Sequence, residues 1–341
     1  MKARKLRDIV VSEVGMGCMG FSHGYGQIPD ENYSIEAIHK AYDFGCTFFD
    51  TAEVYGPNLD PQYFGHNEKI LGKALKTFRK EVVVATKLHI PTEEAQADKD
   101  VYVTIRRHLE NSLARLQTDY ADIYYLHRVN PEISLEDVAE AMGKLIKDGL
   151  IRGWGLSQVP LEILEKVQKI TPLTALQSIY SMVERGVEEK IIPYCLENKI
   201  GFVAFSPISS GFLSGKITAE TKFEKFDDVR NFVPQLKKEN IIANQPILDL
   251  IGRFAKLKNA TNAQISLAWM LKKYSNVVPI PGSKNQGRIL ENLGASNVEL
   301  TDAEFNELEN SLNGLKIHGH RGFDESNGKS FLDVEEKVNG K

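Results

Sequence analysis

The sequence predicts a closed α/β barrel of eight parallel strands, a (β/α)8 or TIM barrel, with an N-terminal hairpin ahead of it and extra helices around it. Three observations carry this. First, eight short apolar runs alternate with segments whose apolar residues recur at helical spacing. Second, several runs stop at a residue capable of chemistry, as barrel strands do at an active-site mouth. The run 47–49 stops at Asp50, 82–86 at Lys87, and 123–126 at His127. Third, the glycine motif that would argue for an open doubly wound sheet stands in the wrong context. Residues 15–20 match G-x-G-x-x-G, which binds a dinucleotide only where a helix opens inside it. Here Gly24, Gly26 and Pro29 follow, and no helix can start among them. The stretch reads as a glycine-rich loop leaving a strand, with Met19 in it placed to touch a ligand.

Each element has its own signal. Residues 3–14 read as a hairpin turning at Arg7-Asp8, and 14–17 as the first core strand. A helix over 34–44 puts Ile35, Ile38, Ala41 and Tyr42 on one face. Strand two is 47–50. A helix over 67–76 turns Ile70, Leu71, Ala74 and Leu75 inward, and strand three follows at 82–86. The helix Val101–Leu116 buries Ile105, Leu109, Leu113 and Leu116, ahead of strand four at 120–126. Ser134 with Asp137 reads as a capping box opening the next helix, and Gly149 closes it. Strand five (151–156), a helix (161–167), strand six (175–178), a helix (188–198) and strand seven (Gly201–Phe205) continue the alternation. Residues 206–240 have no clear period, as in a lid or linker. Helices at Gln245–Lys258 and Asn262–Lys273, strand eight at 277–280, and a helix at Gln286–Leu293 complete the barrel. Thr301 and Glu304 cap a last helix ending near Leu312, and the tail from Asn313 is polar and irregular. No repeat or linker divides the chain, so one domain over 1–341 is expected, with its core at about 9–312.

Composition narrows the function classes. A net charge of −4 argues against a nucleic-acid binder, which would show a strongly basic face. Three distant cysteines, Cys18, Cys46 and Cys195, suit a reducing compartment and form no zinc spacing. The N-terminal apolar run is too short for a signal peptide, and no run is long enough to cross a bilayer. A cytoplasmic protein without membrane partners is therefore expected. His318-Gly319-His320 resembles a metal pair but has no acidic or cysteine partner beside it, so no metal is expected.

An acid, a phenol, an ammonium and an imidazole at neighbouring strand ends make a proton-transfer set: Asp50, Tyr55, Lys87 and His127. A free tyrosine titrates near ~10, too high for efficient exchange at neutral pH, and a neighbouring ammonium favours its phenolate. Lys87 is placed to lower the Tyr55 pKa, Asp50 to hold Lys87 charged, and His127 to bond a substrate oxygen. Each also has a plain structural reading: a loop-capping aspartate, a turn tyrosine, a surface lysine, a core histidine. Their arrival at consecutive strand ends favours the chemical one.

At this point the chain resembles the aldo-keto reductase superfamily over residues 9–312. The matching segments are FFDTAEVYG, VVVATK, IYYLHR, IRGWGLS, Gln177, FSPISSGFLSGK and PIPGSKNQGRILEN. The resemblance implies that Asp50, Tyr55, Lys87 and His127 are the catalytic four. It implies NADPH as cofactor and a small aldehyde or ketone as the substrate, reduced to an alcohol. Ser157, Gln158 and Gln177 would bond the nicotinamide carboxamide, although many relatives have asparagine at the position of Gln158. Phe205 would stack on the ring. Ser206, Pro207, Ile208, Gly211, Leu213 and Lys216 would fold over the pyrophosphate as a lid, joined by Arg230. Gly282, Ser283, Lys284 and Arg288 follow strand eight and open a helix, a phosphate site whose two cations suggest NADP rather than NAD. Glu291 and Asn292 would contact adenine. Tyr63 and Phe64, in the insertion 58–66, would wall an apolar substrate pocket. The alternatives are a nicotinamide-binding regulatory subunit with little turnover and a metal-dependent barrel hydrolase. The latter often carries His-x-His after strand one, where this chain has Gly15-Met16-Gly17.

Overall fold

A computed structural model of the chain describes residues 1–224 and 227–322. Strands β1 (Ala3–Leu6) and β2 (Ile9–Ser12) form the antiparallel hairpin, with Leu6 paired to Ile9 across a turn in which Arg7 takes φ 51°. Eight parallel strands follow: β3 (Met16–Gly17), β4 (Phe48–Asp50), β5 (Val83–Leu88), β6 (Ala121–Leu126), β7 (Ile151–Ser157), β8 (Ala175–Ile179), β9 (Gly201–Phe205) and β10 (Val277–Pro279). Each pairs with its neighbour in sequence. The ring closes where Gly17 bridges Gly282 and the Gly15 N–H donates to the Pro279 carbonyl at 2.9 Å. A Cβ on Gly17 would lie 2.9 Å from the Ile280 carbonyl oxygen, so glycine is what lets the two edges meet.

The barrel interior is apolar. Phe48, Val83, Ala85, Ile123, Tyr125, Ala175, Val203 and Val278 pack together there, and hairpin residues Leu6, Ile9 and Val11 join them. The hairpin thus plugs the end of the barrel opposite the polar strand ends. Strands buried on both faces explain the near-continuous apolar runs in the sequence.

The helices are α1 (Glu31–Asp43), α2 (His66–Leu75), α3 (Thr92–Asp98), α4 (Val101–Leu116), α5 (Leu135–Lys147), α6 (Leu161–Gln168), α7 (Ile191–Glu197), α8 (Lys238–Ala243), α9 (Gln245–Lys258), α10 (Asn262–Lys273), α11 (Gln286–Leu293) and α12 (Asp302–Asn313). Helix α1 starts three residues before the expected 34, because the Asp30 side chain accepts from the N–H groups of Asn32 and Tyr33. Helix α5 shows the Ser134 half of the expected capping box; the full reciprocal box forms at α10 and α12, where Gln264 and Glu304 can reach back. Helix α7 is shorter than 188–198, since Glu188 is used in a turn onto the Arg185 carbonyl. Helix α3 has no buried residue, hence no apolar stripe to read. The 206–240 stretch is not a bare loop. It contains 3-10 turns at Ser209–Ser214, Val229–Phe232 and Pro234–Leu236 and the start of α8, pieces too short for periodicity to register.

No helix among the described residues is long and apolar enough to cross a membrane. The polar tail divides at residue 322: 313–322 is described below, and 323–341 lies outside the described residues.

Candidate active site

Strand register delivers the site. Asp50 is the last residue of β4 and pairs with Ala85, so Lys87 on β5 rises just beyond it; Lys87 lies within the strand rather than past its end. His127 is the first residue after β6, and Tyr55 lies in the loop after β4. The Lys87 Nζ is fully buried and donates to Asp50 Oδ1 at 2.5 Å, to the Thr51 carbonyl at 2.7 Å and to the Tyr55 hydroxyl at 3.3 Å. The other Asp50 oxygen accepts from Gln177 Nε2 at 2.7 Å. The Tyr55 ring meets His127 edge-on, centroids 5.8 Å apart, and His23 at 5.2 Å.

The electrostatics follow from burial and pairing. Burial pushes the Asp50 carboxyl up, opposed by Lys87 and Gln177. Burial pulls Lys87 down, but Asp50 and Tyr55 outweigh it and hold the ammonium above its usual range. With donors on both Asp50 oxygens, the pair is ionised. Burial, Arg128 and Lys87 push His127 well below the usual imidazole range, so it is neutral at pH 7, with Nδ1 buried and unbonded. Tyr55 corrects the sequence expectation. Lys87 does pull its pKa down, but burial is the larger effect and leaves the phenol raised. Tyr55 therefore holds its proton at neutral pH, and Lys87 limits the cost of releasing it.

An inner cavity of about 100 Å³ opens over this set. Met19, Asp50, Tyr55, His127, Ser157, Gln177, Phe205, Ser206 and Gly282 line it. Gln158 does not. Its backbone turns at φ 54°, its N–H goes to the Gln177 carbonyl, and its side chain is exposed, so it is not placed to bond a ring in this cavity. Gln177 already spends one amide proton on Asp50.

An outer groove of about 280 Å³ adjoins the cavity, the two sharing Tyr25, Ser206 and Gly282. Pro207, Ile208, Gly211, Lys216, Arg230, Ser283, Lys284, Arg288, Glu291 and Asn292 also line it. Leu213 does not: it is fully buried in the main core. Lys216 reaches across to Glu291 at 2.9 Å, and Arg230 makes a two-pronged pair with Asp228. Lys284 Nζ donates to the carbonyls of Tyr25 and Gln27 at 2.8 and 2.6 Å. The opening amides of α11 are largely taken. The Asn285 N–H goes to Ser283 Oγ, the Gln286 N–H to the Tyr33 hydroxyl and the Arg288 N–H to Asn285 Oδ1. An anion here would meet the side chains of Lys284 and Arg288 more than helix-start N–H groups, which corrects the sequence reading.

A further expectation is corrected. Tyr63 and Phe64 are 44% and 38% exposed and line neither cavity. The segment 315–322 is pinned down. His318 and Asn244 exchange two hydrogen bonds, Gln235 donates to the His320 carbonyl, and Arg321 is buried in the inner cavity wall. Among the described residues no cluster of histidine, cysteine or acidic groups is placed to hold a metal ion. Among the lining residues that sequence reasoning missed are Tyr25, Arg128, Val229 and Arg321. Arg128 directly follows His127 and was readable as part of the same strand end; Arg321, a lone arginine in a polar tail, carries no sequence signal.

A closed barrel whose polar end joins a buried acid–ammonium–phenol set to a long, cation-lined groove has the build of a barrel oxidoreductase. The family model described as "Aldo/keto reductase family" matches residues 13–313, and the chain belongs to that family. It is 35% identical over 304 residues to a probable aldo-keto reductase of Glycine max, covering 87% of this chain and 84% of the relative. It is 32% identical over 340 residues to an aldo-keto reductase of Schizosaccharomyces pombe, yakc, whose name carries the designation NADP(+), covering 97% of both. Among solved structures it is similar to a glycerol dehydrogenase from Gluconobacter oxydans, with a TM-score of 0.80 and 27% identity over 92% of this chain and 95% of the other.

Proposed function

We propose that the protein is an NADPH-dependent reductase of aldehydes or ketones, acting as one barrel domain, with Tyr55 as the proton donor. The observation that carries this is the Lys87 ammonium bonded to both Asp50 and the Tyr55 hydroxyl at the floor of the inner cavity.

The residues present fit a phosphorylated dinucleotide. The outer groove offers Lys216, Arg230, Lys284 and Arg288 to phosphates, and Arg288 is exposed at its edge. The S. pombe relative's NADP(+) designation supports the same cofactor. Ser157 and Gln177 would hold the nicotinamide amide and Phe205 its ring face. Ser206, Pro207, Ile208 and Gly211 would lie along the pyrophosphate, and Glu291 and Asn292 beside the adenine. The Lys216–Glu291 pair spans the groove as a latch; with Lys216 half exposed it is worth only about 0–1 kcal/mol, weak enough to open for exchange. When bound, NADPH supplies a hydride to the substrate carbonyl carbon.

This chain's own groups handle the oxygen. Neutral His127 donates a hydrogen bond to it and, carrying no charge, does not compete to protonate it. Tyr55 delivers the proton as alkoxide character develops. Lys87, at 3.3 Å, stabilises the phenolate left behind, and Asp50 with Gln177 keeps the ammonium aimed. Run backwards, the same groups oxidise an alcohol. A carbonyl panel followed by NADPH consumption, beside NADH, tests the reading. Tyr55→Phe should cut turnover by at least about 10³-fold, within the range of a lost general acid, while NADPH binds within about twofold of wild type. Normal turnover in that variant would rule out Tyr55 as donor.

A further inference from the structure

The loop that carries Tyr55 is joined to β5 through the side chain of Glu53. Beyond β4 the chain keeps pairing with β5: the Thr51 N–H donates to the Ala85 carbonyl at 2.9 Å, and the Glu53 N–H to the Lys87 carbonyl at 3.1 Å. In a regular parallel ladder the Glu53 carbonyl would accept next, from the His89 N–H. Here that carbonyl accepts from the Gly65 N–H instead, and the carboxylate of the same residue takes its place. Glu53 Oε1 accepts from the His89 N–H at 2.7 Å. The side chain thus extends the ladder by one step while the backbone turns away to close the loop. The Tyr55 N–H then returns to the Ala52 carbonyl, and the Tyr55 carbonyl accepts from the Asn67 N–H.

The second oxygen of Glu53 is held as well. Glu53 is 5% exposed, and His108 Nδ1 on α4 meets its Oε2 at 2.8 Å. On its other side His108 Nε2 meets Glu94 Oε2 on α3 at 3.2 Å. An imidazole with a carboxylate on each side satisfies both only when both ring nitrogens carry a proton. Burial pulls the His108 pKa down, but Glu53 and Glu94 outweigh it and leave it raised. Donors on both oxygens fix the plane of the Glu53 carboxylate. Glu53 lines neither the inner cavity nor the outer groove, so it acts through the loop and not on a ligand.

We infer that Glu53 is a positioning residue for the proton transfer: by accepting from the His89 N–H it holds the loop of Tyr55 against the strand of Lys87 and sets the contact between phenol and ammonium. The inference rests on the proposed role of Tyr55 as proton donor. That contact is 3.3 Å long. A displacement of about 1 Å at such a site costs about 10²-fold in turnover.

Glu53→Gln and Glu53→Met have nearly the same length and differ in whether they accept from the His89 N–H. The glutamine keeps the acceptor, and His108 can meet its amide as the neutral tautomer protonated on Nε2. Carbonyl reduction gives kcat and KM, fluorescence gives NADPH affinity, and urea denaturation gives stability. NMR of the full chain, isotope-labelled at tyrosine Cζ, reports the Tyr55 phenol, assigned by its loss in Tyr55→Phe; Lys87→Met supplies the signal position for a broken contact. Glu53→Met should lower kcat by about 10²-fold, leave KM and NADPH affinity within about threefold, and move the Tyr55 signal towards its Lys87→Met position. Glu53→Gln should keep kcat within about threefold of wild type and leave the signal in place. A methionine variant that loses stability but keeps wild-type kcat and signal would make Glu53 a structural prop and overturn the inference. Gln and Met variants that are equally slow would assign the effect to the lost charge, which also overturns it. If Glu53→Met does not fold, Glu53→Asp replaces it: it keeps the charge, falls one methylene short of His89, and should be slower than Glu53→Gln. An aspartate variant as fast as the glutamine one would count against the ladder bond. If wild type reduces no carbonyl, the reductase reading fails separately, and the Tyr55 signal alone decides whether Glu53 sets the contact.

Discussion

Replacing Lys87 with methionine, nearly isosteric and neutral, probes fold and chemistry together. The Nζ–Oη distance is 3.3 Å. At an effective dielectric of about 20, unit charges at that separation attract by roughly 5 kcal/mol. If the phenolate is half developed in the transition state, about 2.5 kcal/mol of stabilisation is lost, or ~70-fold in rate. Loss of the ammonium also frees the phenol to drift, so a fall of 10²–10³-fold is expected. With NADPH binding unchanged, kcat/KM must fall by the same factor for carbonyl reduction and alcohol oxidation, because the overall equilibrium is fixed. The substitution also strands Asp50, 3% exposed, with Gln177 as its remaining side-chain partner, at a cost of about 3–5 kcal/mol. The double variant Asp50→Asn/Lys87→Met removes the stranded charge and should regain most of that stability while staying slow. Urea denaturation and progress curves in both directions provide the readouts. A double variant that folds like wild type and turns over within about threefold of it would refute the role given to Lys87.

Other outcomes follow from the same geometry. Arg288→Ala should weaken NADPH by about 1.5–3 kcal/mol and leave NADH nearly unchanged; an equal loss for both would remove Arg288 from the 2′-phosphate. His23 is 2% exposed with neither ring nitrogen hydrogen-bonded, and burial holds its pKa at about 3. Its folded value lies below the unfolded ~6.5, so its contribution is intact above pH ~6.5 and falls by ~1.4 kcal/mol per unit as pH drops towards 3. In His23→Gln the stability difference between pH 7 and 5 should shrink by about 2 kcal/mol; parallel pH curves would contradict this. Gly17→Ala should destabilise by about 1–3 kcal/mol, because its Cβ meets the Ile280 carbonyl at the barrel seam, and an unchanged urea midpoint would show that the seam can yield.

The elements that were legible are those with a local cause. Val101–Leu116, Gln245–Lys258 and Gln286–Leu293 begin and end where their apolar stripes do, as the sequence implied. Helix α3 and the short turns after β9 left no signal, since no apolar face repeats in them. The site divides the same way. Asp50, Lys87 and His127 were readable as a set because each lies at or near the end of a barrel strand. The exposure of Gln158 was not legible, because it goes with a positive φ that no local pattern signals.

Residue pattern alone fixed the barrel, its order and the strand ends that carry an acid, an ammonium and an imidazole, since periodicity and strand termination are local properties of a chain. Tertiary structure decided the balance of charge. How deeply Tyr55 is buried against how near Lys87 lies, which cations are already paired, and whether a distant arginine swings into the cavity all depend on distances between segments far apart in sequence. Desolvation and Coulomb energies act through space, so only the folded arrangement sets their sum.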